Sequence, residues 1–402
     1  MRALEGLRVL DFAWVVAGPM IGRALADFGA TVVRVESAKR LDFSRYYGPY
    51  PNGKFDARQS TSFENYNAGK LGLALDLSRD EGRAVARELA TWADVVVENF
   101  SPGTMTRLGL DYEALRALNP RVIMLSTSLM GQSGPLGKTA GFGSAGAAFT
   151  GFLSLTGNPG EPPIGQFGPY TDLVAPRFSI FMLLAALDHR RRAGEGMLID
   201  IAQTEATIEF LAPQIAHYCE SGHVAGAIGN RDPAFAPHGV FPARGNHRWV
   251  AIVARNDVEW NRLAALMGQA HLAQDPRFNT LAARKANEDA LEAVISDWSR
   301  HHHAEVIEEQ LQGHGIPAHV VASSPEIVSD LQLKARGYLV RLPHPVMGEA
   351  VIESAPYQLS DTPARYDLCA PTVGRDNDYV LRELLGYSSD RIAALKETGA
   401  LT

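Results

Sequence analysis

The sequence predicts an α/β protein, with a Rossmann-like large domain built on a parallel sheet and a smaller α+β domain beside it. Short apolar runs at residues 8–12, 31–36, 94–97 and 122–126 alternate with helical patterns at 21–28, 81–92 and 112–118. Strands of that kind, separated by amphipathic helices, imply a parallel sheet covered on both faces. A second observation is the change of composition between about Gly222 and Pro237, where Gly, Pro and Asn accumulate and mark a linker. Domain bounds follow at residues 1–220, 221–330 and 331–402.

Taken in order, Arg8-Val9-Leu10-Asp11-Phe12 opens the sheet. Ser78-Arg79-Asp80-Glu81 has capping-box spacing and sets the start of the helix at 81–92. No Gly-x-Gly-x-x-Gly follows the first strand, so this layout alone predicts no nicotinamide cofactor. Beyond the linker, Gly239-Val240-Phe241 and residues 249–253 flank the turn Arg244-Gly245-Asn246-His247 as a hairpin. Helices near 260–267, 289–298 and 304–312 and a strand at 318–322 complete the small domain. The last stretch, from about Lys334, carries short strand signals and helices at 378–385 and 390–396.

With 402 residues, 46% hydrophobic and 21% charged, the chain has the composition of a globular protein with room for two cores. A net charge of −7 argues against nucleic acid or an anionic membrane as the main partner. No run approaches the roughly 20 uninterrupted apolar residues of a membrane span, and the first residues show no signal-peptide pattern. Cys219 and Cys369 lack metal-type spacing and suit a reducing compartment, so a cytoplasmic location is expected. His301-His302-His303 is a poor metal tract, because consecutive side chains do not share a helix face; no metal is expected. Arg190-Arg191-Arg192 ends an apolar helix and is expected to stabilise its C-terminus. The absence of Gly-x-Ser-x-Gly argues against an α/β-hydrolase.

Asp172 stands in Gly168-Pro169-Tyr170-Thr171-Asp172-Leu173-Val174-Ala175-Pro176, ahead of the apolar run 178–187. Gly168, Pro169 and Pro176 break regular structure, which puts Asp172 on a loop or at a helix start. There a carboxylate either caps the helix or, kept ionised by the helix terminus, acts as a nucleophile.

A series of motifs bears on that choice. Leu4-Glu5-Gly6-Leu7-Arg8-Val9-Leu10-Asp11 precedes Ala17-Gly18-Pro19. Leu25-Ala26-Asp27-Phe28-Gly29-Ala30 runs into Val32-Val33-Arg34-Val35-Glu36, and Asn67-Ala68-Gly69-Lys70 follows. Then come Asp94-Val95-Val96-Val97-Glu98-Asn99-Phe100-Ser101-Pro102-Gly103, Leu108-Gly109-Leu110, Asn119-Pro120-Arg121-Val122-Ile123, Leu184-Ala185-Ala186-Leu187 and Gly194-Glu195-Gly196-Met197-Leu198-Ile199-Asp200. From Leu4 to about Gln203 the chain resembles the class III CoA-transferase family, which also contains alpha-methylacyl-CoA racemases. In that family the nucleophilic Asp lies twelve residues before Leu-Ala-Ala-Leu, the spacing that Asp172 holds.

The resemblance implies a CoA-transferase that moves CoA from an acyl-CoA donor such as succinyl-CoA to a carboxylic acid. Aspartyl anhydride and aspartyl-CoA thioester intermediates form on Asp172, which is taken as ionised at pH 7 without tuning. No tightly bound cofactor is implied; the CoA thioester is the substrate. By position it implies CoA contacts at Asn99, Phe100, Ser101 and Arg107, adenine packing at Leu75, Asp76 and Leu77, and a phosphate charge from Lys39, Arg40 or Arg45. Val16 and Ala17 are expected at the CoA site, and Ala17-Gly18 on the first strand-to-helix turn offers backbone N–H groups to an oxyanion. It further implies an interlocked homodimer whose C-terminal segment rejoins the large domain; a heteromer is the other possibility. Two departures matter. Val16 replaces the Gln of formyl-CoA transferases, which removes a side-chain donor and disfavours formate or oxalate. Phe142-Gly143 stands where racemases carry a His and an acid, which disfavours proton exchange. Val16, Phe142 and the nearby Tyr46, Tyr47 and Tyr50 suit a bulky or aromatic acid, closest to the branch that acts on benzylsuccinate and related substituted dicarboxylates. The alternatives are an acyl-CoA racemase or isomerase and a non-catalytic CoA-binding subunit.

Overall fold

A computed structural model describes every residue except Met1, Ala140, Gln166 and Phe167. It divides into two units, Met1–Phe152 with Gln166–His223 and Leu331–Thr402, and Leu153–Gly165 with Val224–Asp330. The first unit holds β1 (Arg8–Asp11), β2 (Thr31–Glu36), β3 (Leu71–Ala74), β4 (Val95–Glu98), β5 (Ile123–Ser128) and β6 (Leu198–Ala202). These pair in parallel in the order β3-β2-β1-β4-β5-β6. The mixed α/β class expected from the sequence is the one observed.

Alternating side chains divide between two cores. Val9, Val32, Val95, Val97, Ile123 and Leu125 face one side, packed with Ile21 and Leu25 of α1 (Ala17–Asp27) and with Leu183 and Ala186. Leu10, Val33, Val96 and Met124 face the other, against Val85 and Leu89 of a helix at Asp80–Trp92 and against Val380, Ile392 and Leu395 from the end of the chain. The returning segment also closes an edge: Asp376 Oδ2 accepts the N–H of Gly72 at 2.7 Å and Asn377 Oδ1 that of Ala74 at 2.8 Å. Side chains thereby occupy the donors that strand β3 would otherwise leave open.

The second unit carries β7 (His238–Pro242), β8 (Trp249–Val253) and β9 (Ala318–Val320) in one antiparallel sheet. The predicted hairpin is β7 with β8, and His247 in its turn takes a positive φ of 53°. The capping box expected at Ser78 does not form. The helix begins at Asp80 after Arg79, and Ser78 gives both its N–H and its hydroxyl to Asp76 Oδ1 at 3.0 and 2.6 Å. A capping box does occur at Ser323 and Glu326.

Behind the C-terminal ends of β1 and β2 lies a group of charges without access to water. Lys70, fully buried, donates to Asp11 Oδ2 at 2.7 Å, Pro19 O at 2.9 Å and Asn67 Oδ1 at 2.9 Å, using its three protons. Burial pulls its amine down to about 8 in spite of Asp11. Arg45 forms a two-pronged pair with Glu36 at 2.8 and 2.9 Å, and Arg34 pairs with Asp42. Asp42 accepts the N–H of Val15 at 3.0 and 3.1 Å, holding that β-branched residue at φ 66°, a conformation such side chains rarely adopt. Lys70→Met removes the partner of a carboxylate that water does not reach, and is expected to lower stability by about 3–5 kcal/mol. Urea unfolding measures it, and an unchanged midpoint would show that Asp11 needs no counter-charge.

Candidate active site

In a doubly wound sheet the crevice opens where the strand order reverses. Here that point lies between β1 and β4, neighbours whose following loops diverge. Asn99 clasps the two loops: Trp14 N donates to Asn99 Oδ1 and Asn99 Nδ2 to Trp14 O, both at 2.8 Å. A cavity of about 600 Å³ fills the crevice, with Asp172 on its wall. Its size falls in the range of small-molecule sites.

Further along the chain, the helices at Thr61–Asn67, Asp80–Trp92, Thr104–Leu108, Tyr112–Leu118, Gly143–Phe149 and Phe152–Leu155 are α2 to α7. They are followed by α8 (Tyr170–Ala193), α9 (Gln203–Ile208) and α10 (Ala212–Ser221). Asp172 sits in the first turn of α8, and its N–H donates to Pro169 O at 2.9 Å. Contrary to the expectation for Pro176, that residue lies inside the helix. Proline fits helical φ but cannot donate, so the bond to the carbonyl of Asp172 is forgone, and its ring crowds that same carbonyl. By length and composition alone α8 also meets the measure of a membrane-spanning helix, although Asp172, Arg177 and Asp188 interrupt its apolar run. At the far end Arg190 pairs with Asp94 at 2.6 Å, and Arg191 and Arg192 pair with Asp188.

Asp172 is only 8% exposed. Gly143, the first residue of α6, donates its N–H to Asp172 Oδ2 at 3.2 Å. Gln203, at the start of α9, lines the same cavity, and its side-chain amide also draws the carboxyl down. Burial outweighs both and pushes the carboxyl up to about 6. The expectation of an untuned carboxylate is thereby corrected, because the hydration lost exceeds what the neighbouring N–H groups return. The carboxylate form still predominates at pH 7.

The residue type at 143 has a steric reason. A Cβ there would stand 2.8 Å from Asp172 Oδ2 and 2.7 Å from Pro169 Cβ. At Gly146, one turn on, a Cβ would stand 2.8 Å from Thr171 Oγ1. Small residues let α6 lie directly on the start of α8 and bring a backbone donor to the carboxylate.

Of the residues singled out in the sequence, Val16, Lys39, Arg40, Asn99, Phe100, Ser101 and Phe142 line the cavity with Asp172. Arg40 lies over the Trp14 ring at 5.2 Å, and Lys39 pairs with Asp76 at 2.7 Å. Others stand elsewhere. Leu75 belongs to the core, Leu77 packs against that core, and Asp76 serves Lys39 and Ser78. Ala17 is buried at the head of α1. Arg107 is exposed and donates to Thr104 Oγ1 at 2.8 Å. Arg45 is committed to Glu36. Tyr46 lines the cavity, and the charge of Asp172, after burial, raises the Tyr47 phenol. Tyr50 instead donates to Arg45 O at 3.2 Å. Sequence reasoning missed Gln203 and Ser128. Both line the cavity, and Ser128 keeps a buried hydroxyl with no partner among the described residues. The available signal was their position at the C-terminal ends of parallel strands.

One group of side chains among the described residues has metal-ligand proximity, Glu64, His344 and Cys369. His344 Nδ1 accepts N–H groups from Val346 and Met347 at 3.1 and 3.0 Å, which places the ring proton on Nε2, facing Glu64 at 3.1 Å. No ring lone pair remains for an ion. His302 of the triple-histidine tract has its Nδ1 against Trp298 O at 2.9 Å.

Residues 4–377 match the model of CoA-transferase family III. The chain belongs to that family. As a family III CoA-transferase it is 34% identical over 395 residues to the succinyl-CoA–D-citramalate CoA-transferase of Chloroflexus aurantiacus, covering 98% of this chain and 97% of the relative. It is 34% identical to the succinate–glutarate CoA-transferase of Agrobacterium fabrum, covering 95% of each chain. A crystal structure of a CAIB/BAIF family protein from Brucella suis superposes with a TM-score of 0.88 at 31% identity, covering 95% of this chain and 99% of that one. This transferase family works on CoA thioesters. Gly143→Ala is expected to cut the rate of CoA transfer at least ~10-fold, since the added Cβ would displace Asp172 on the cavity wall and a misplacement of even 1 Å within a site is costly. Steady-state rates measure it, with thermal unfolding alongside, and a rate equal to wild type would refute the close approach.

Proposed function

We propose that this chain transfers CoA from an acyl-CoA donor, succinyl-CoA in the first instance, to a carboxylic acid acceptor with Asp172 as the nucleophile. One observation carries the reading: a buried carboxylate, gripped through one oxygen by the Gly143 N–H, on the wall of a cavity at the sheet's switch point. One Asp172 oxygen bonds to the acyl carbon of the donor and the C–S bond breaks, releasing CoA thiolate and leaving a mixed anhydride. Thiolate then attacks the Asp172 carboxyl carbon; its bond to the bridging oxygen breaks, and the donor acid departs with that oxygen. The acceptor carboxylate attacks the carbonyl carbon of the resulting aspartyl-CoA thioester, the C–S bond breaks to give a second mixed anhydride and CoA thiolate, and thiolate then attacks the acceptor carbonyl carbon, whose bond to the bridging oxygen breaks and frees Asp172 as carboxylate. Every step exchanges one nucleophile for another and no net proton moves. The Gly143 N–H is placed to stabilise the oxyanion formed at each attack on Asp172.

Lys39 and Arg40, exposed beside the cavity, supply positive charge for the CoA phosphates. For the acceptor, the dicarboxylates named in the relatives supply the class, and the aromatic wall refines it. Phe43 stacks on Phe142 at 6.1 Å and meets Tyr47 edge-on at 5.2 Å. These rings favour a dicarboxylate that carries an apolar or aromatic substituent. The phenyl ring of Phe142 offers no proton to exchange, so the racemase alternative gains nothing from the site. We infer a homodimer as well, supported by the exposed apolar residues Phe181, Leu184, Phe210, Ile215 and Tyr218 on and near α8 and α10; light scattering at the monomer mass of 43.6 kDa would refute it.

Transfer from succinyl-CoA to benzylsuccinate, citramalate and glutarate, followed by chromatography of the acyl-CoA products, tests the reading. Asp172→Asn is expected to lose at least ~10³-fold in kcat. In the wild type, kcat/KM should fall as pH drops through about 6, where the carboxylate takes up its proton and ceases to be a nucleophile. A variant with wild-type rates, or an acid limb near 4, contradicts the assignment.

A further inference from the structure

We propose that the site takes acids carried on long aryl arms, and that Phe55 is the residue that selects for them. The arm lies along a run of aromatic rings that starts in the cavity and ends at Phe55. This deepens the proposed function and rests on it.

The run begins beside the reacting group. Phe142 directly precedes Gly143, whose N–H meets Asp172 Oδ2 at 3.2 Å. Its ring stacks on Phe43, from a distant part of the chain, with centroids 6.1 Å apart and planes 17° apart. Phe43 meets Tyr46 at 6.1 Å, and Tyr46 stacks on Phe55 at 5.6 Å with the planes only 7° apart. Tyr50 closes on Phe55 edge-on, also at 5.6 Å. Phe43, Tyr46 and Phe142 line the cavity with Asp172, and Phe55 carries the run past that lining.

Aromatic rings bring most to a fold when they leave water. Here Phe43, Tyr46, Phe55 and Phe142 are 46, 48, 60 and 57% exposed, so four neighbouring rings forgo that gain. A contiguous exposed apolar patch marks a binding surface. The backbone beneath it is anchored. Buried Asp42 accepts both the N–H and the hydroxyl of Ser44 at 2.8 Å, Ser60 Oγ lies 2.8 and 2.7 Å from the Ser44 and Tyr47 carbonyls, and the Tyr50 hydroxyl donates to Arg45 O at 3.2 Å. Rings held in this way are ready before a ligand arrives, which lowers the ordering cost of binding.

The occupant follows from continuity with the cavity. A group on these rings is joined to the carboxyl that reacts at Asp172. CoA also enters the cavity, but the charges assigned to its phosphates belong to a second group of side chains. Arg40 lies over Trp14 at 5.2 Å, Trp14 meets Phe100 edge-on at 5.8 Å, and Lys39 pairs with Asp76. The run is therefore assigned to the acid. Phe142 and Phe43 serve a benzyl arm; a second ring on that arm gains the Tyr46–Phe55 pair.

The test measures kcat/KM with succinyl-CoA as donor and glutarate, benzylsuccinate and its biphenylmethyl analogue as acceptors. Wild type is expected to prefer the biphenylmethyl acid over benzylsuccinate by about 5-fold, the scale of one added aromatic contact. Phe55→Ser should abolish that preference, and Phe55→Tyr, which keeps a ring, should retain it. Thermal unfolding checks that both variants fold. A preference unchanged in Phe55→Ser overturns the assignment, as does wild type that transfers CoA to glutarate but does not favour the longer arm. A raised KM for succinyl-CoA in Phe55→Ser gives the run to the nucleotide, and a changed mass in light scattering gives it to a second copy; either result overturns the proposal. Wild type that transfers CoA to none of the three acids overturns the proposed function first, and this inference with it.

Discussion

The crevice exists because charges beneath it are paired where water cannot reach. Asp11 with Lys70, Arg34 with Asp42 and Glu36 with Arg45 all lie within the protein, each side chain at most 4% exposed. Such pairs add little net stability over apolar packing, but losing one partner is severe. Their effect is geometric. Arg34 donates to Ala13 O at 2.7 Å and Asp42 takes the N–H of Val15, so the loop after β1 has one course, including the left-handed turn at Val15. Asn99 then ties this loop to the one after β4, and the cavity forms between them.

Against this fixed wall, the other side of the site is built from small residues and helix starts. Gly143 and Gly146 allow α6 to touch α8, and Asp172 is buried at the contact. Burial raises its affinity for a proton, while the Gly143 N–H and the neighbouring Gln203 amide lower it; the balance stands near 6. A carboxylate so placed is more basic than a free one and has shed much of its hydration, two properties that raise its reactivity toward a thioester. In the proposed reaction the same seclusion would protect anhydride and thioester intermediates from water.

Much of this was legible in the sequence. The alternation of apolar strands and amphipathic helices led to the parallel sheet, and the ordered motifs led to the family. Asp172 stood out by its flanking Gly and Pro and by its distance from Leu184. Other features depend on three-dimensional neighbours. Pro176 reads as a breaker, yet α8 runs through it, held by its packing on neighbouring elements. Ser78 has capping-box spacing but found a better acceptor in Asp76. Leu75 sits in the chain where adenine was expected and in space where the core is. Lys70 showed no role in the sequence, since its partners Asp11 and Pro19 are more than fifty residues away. Gln203 carries no motif, and only the fold brings it to the cavity that Asp172 lines.

The most direct measurement is the intact mass of the protein after incubation with succinyl-CoA, with peptide mapping after hydroxylamine or borohydride trapping. The account predicts a CoA-sized adduct that hydroxylamine converts to a hydroxamate at Asp172, and no adduct on Asp172→Ala. An adduct on another residue, or turnover without any covalent intermediate, would contradict it.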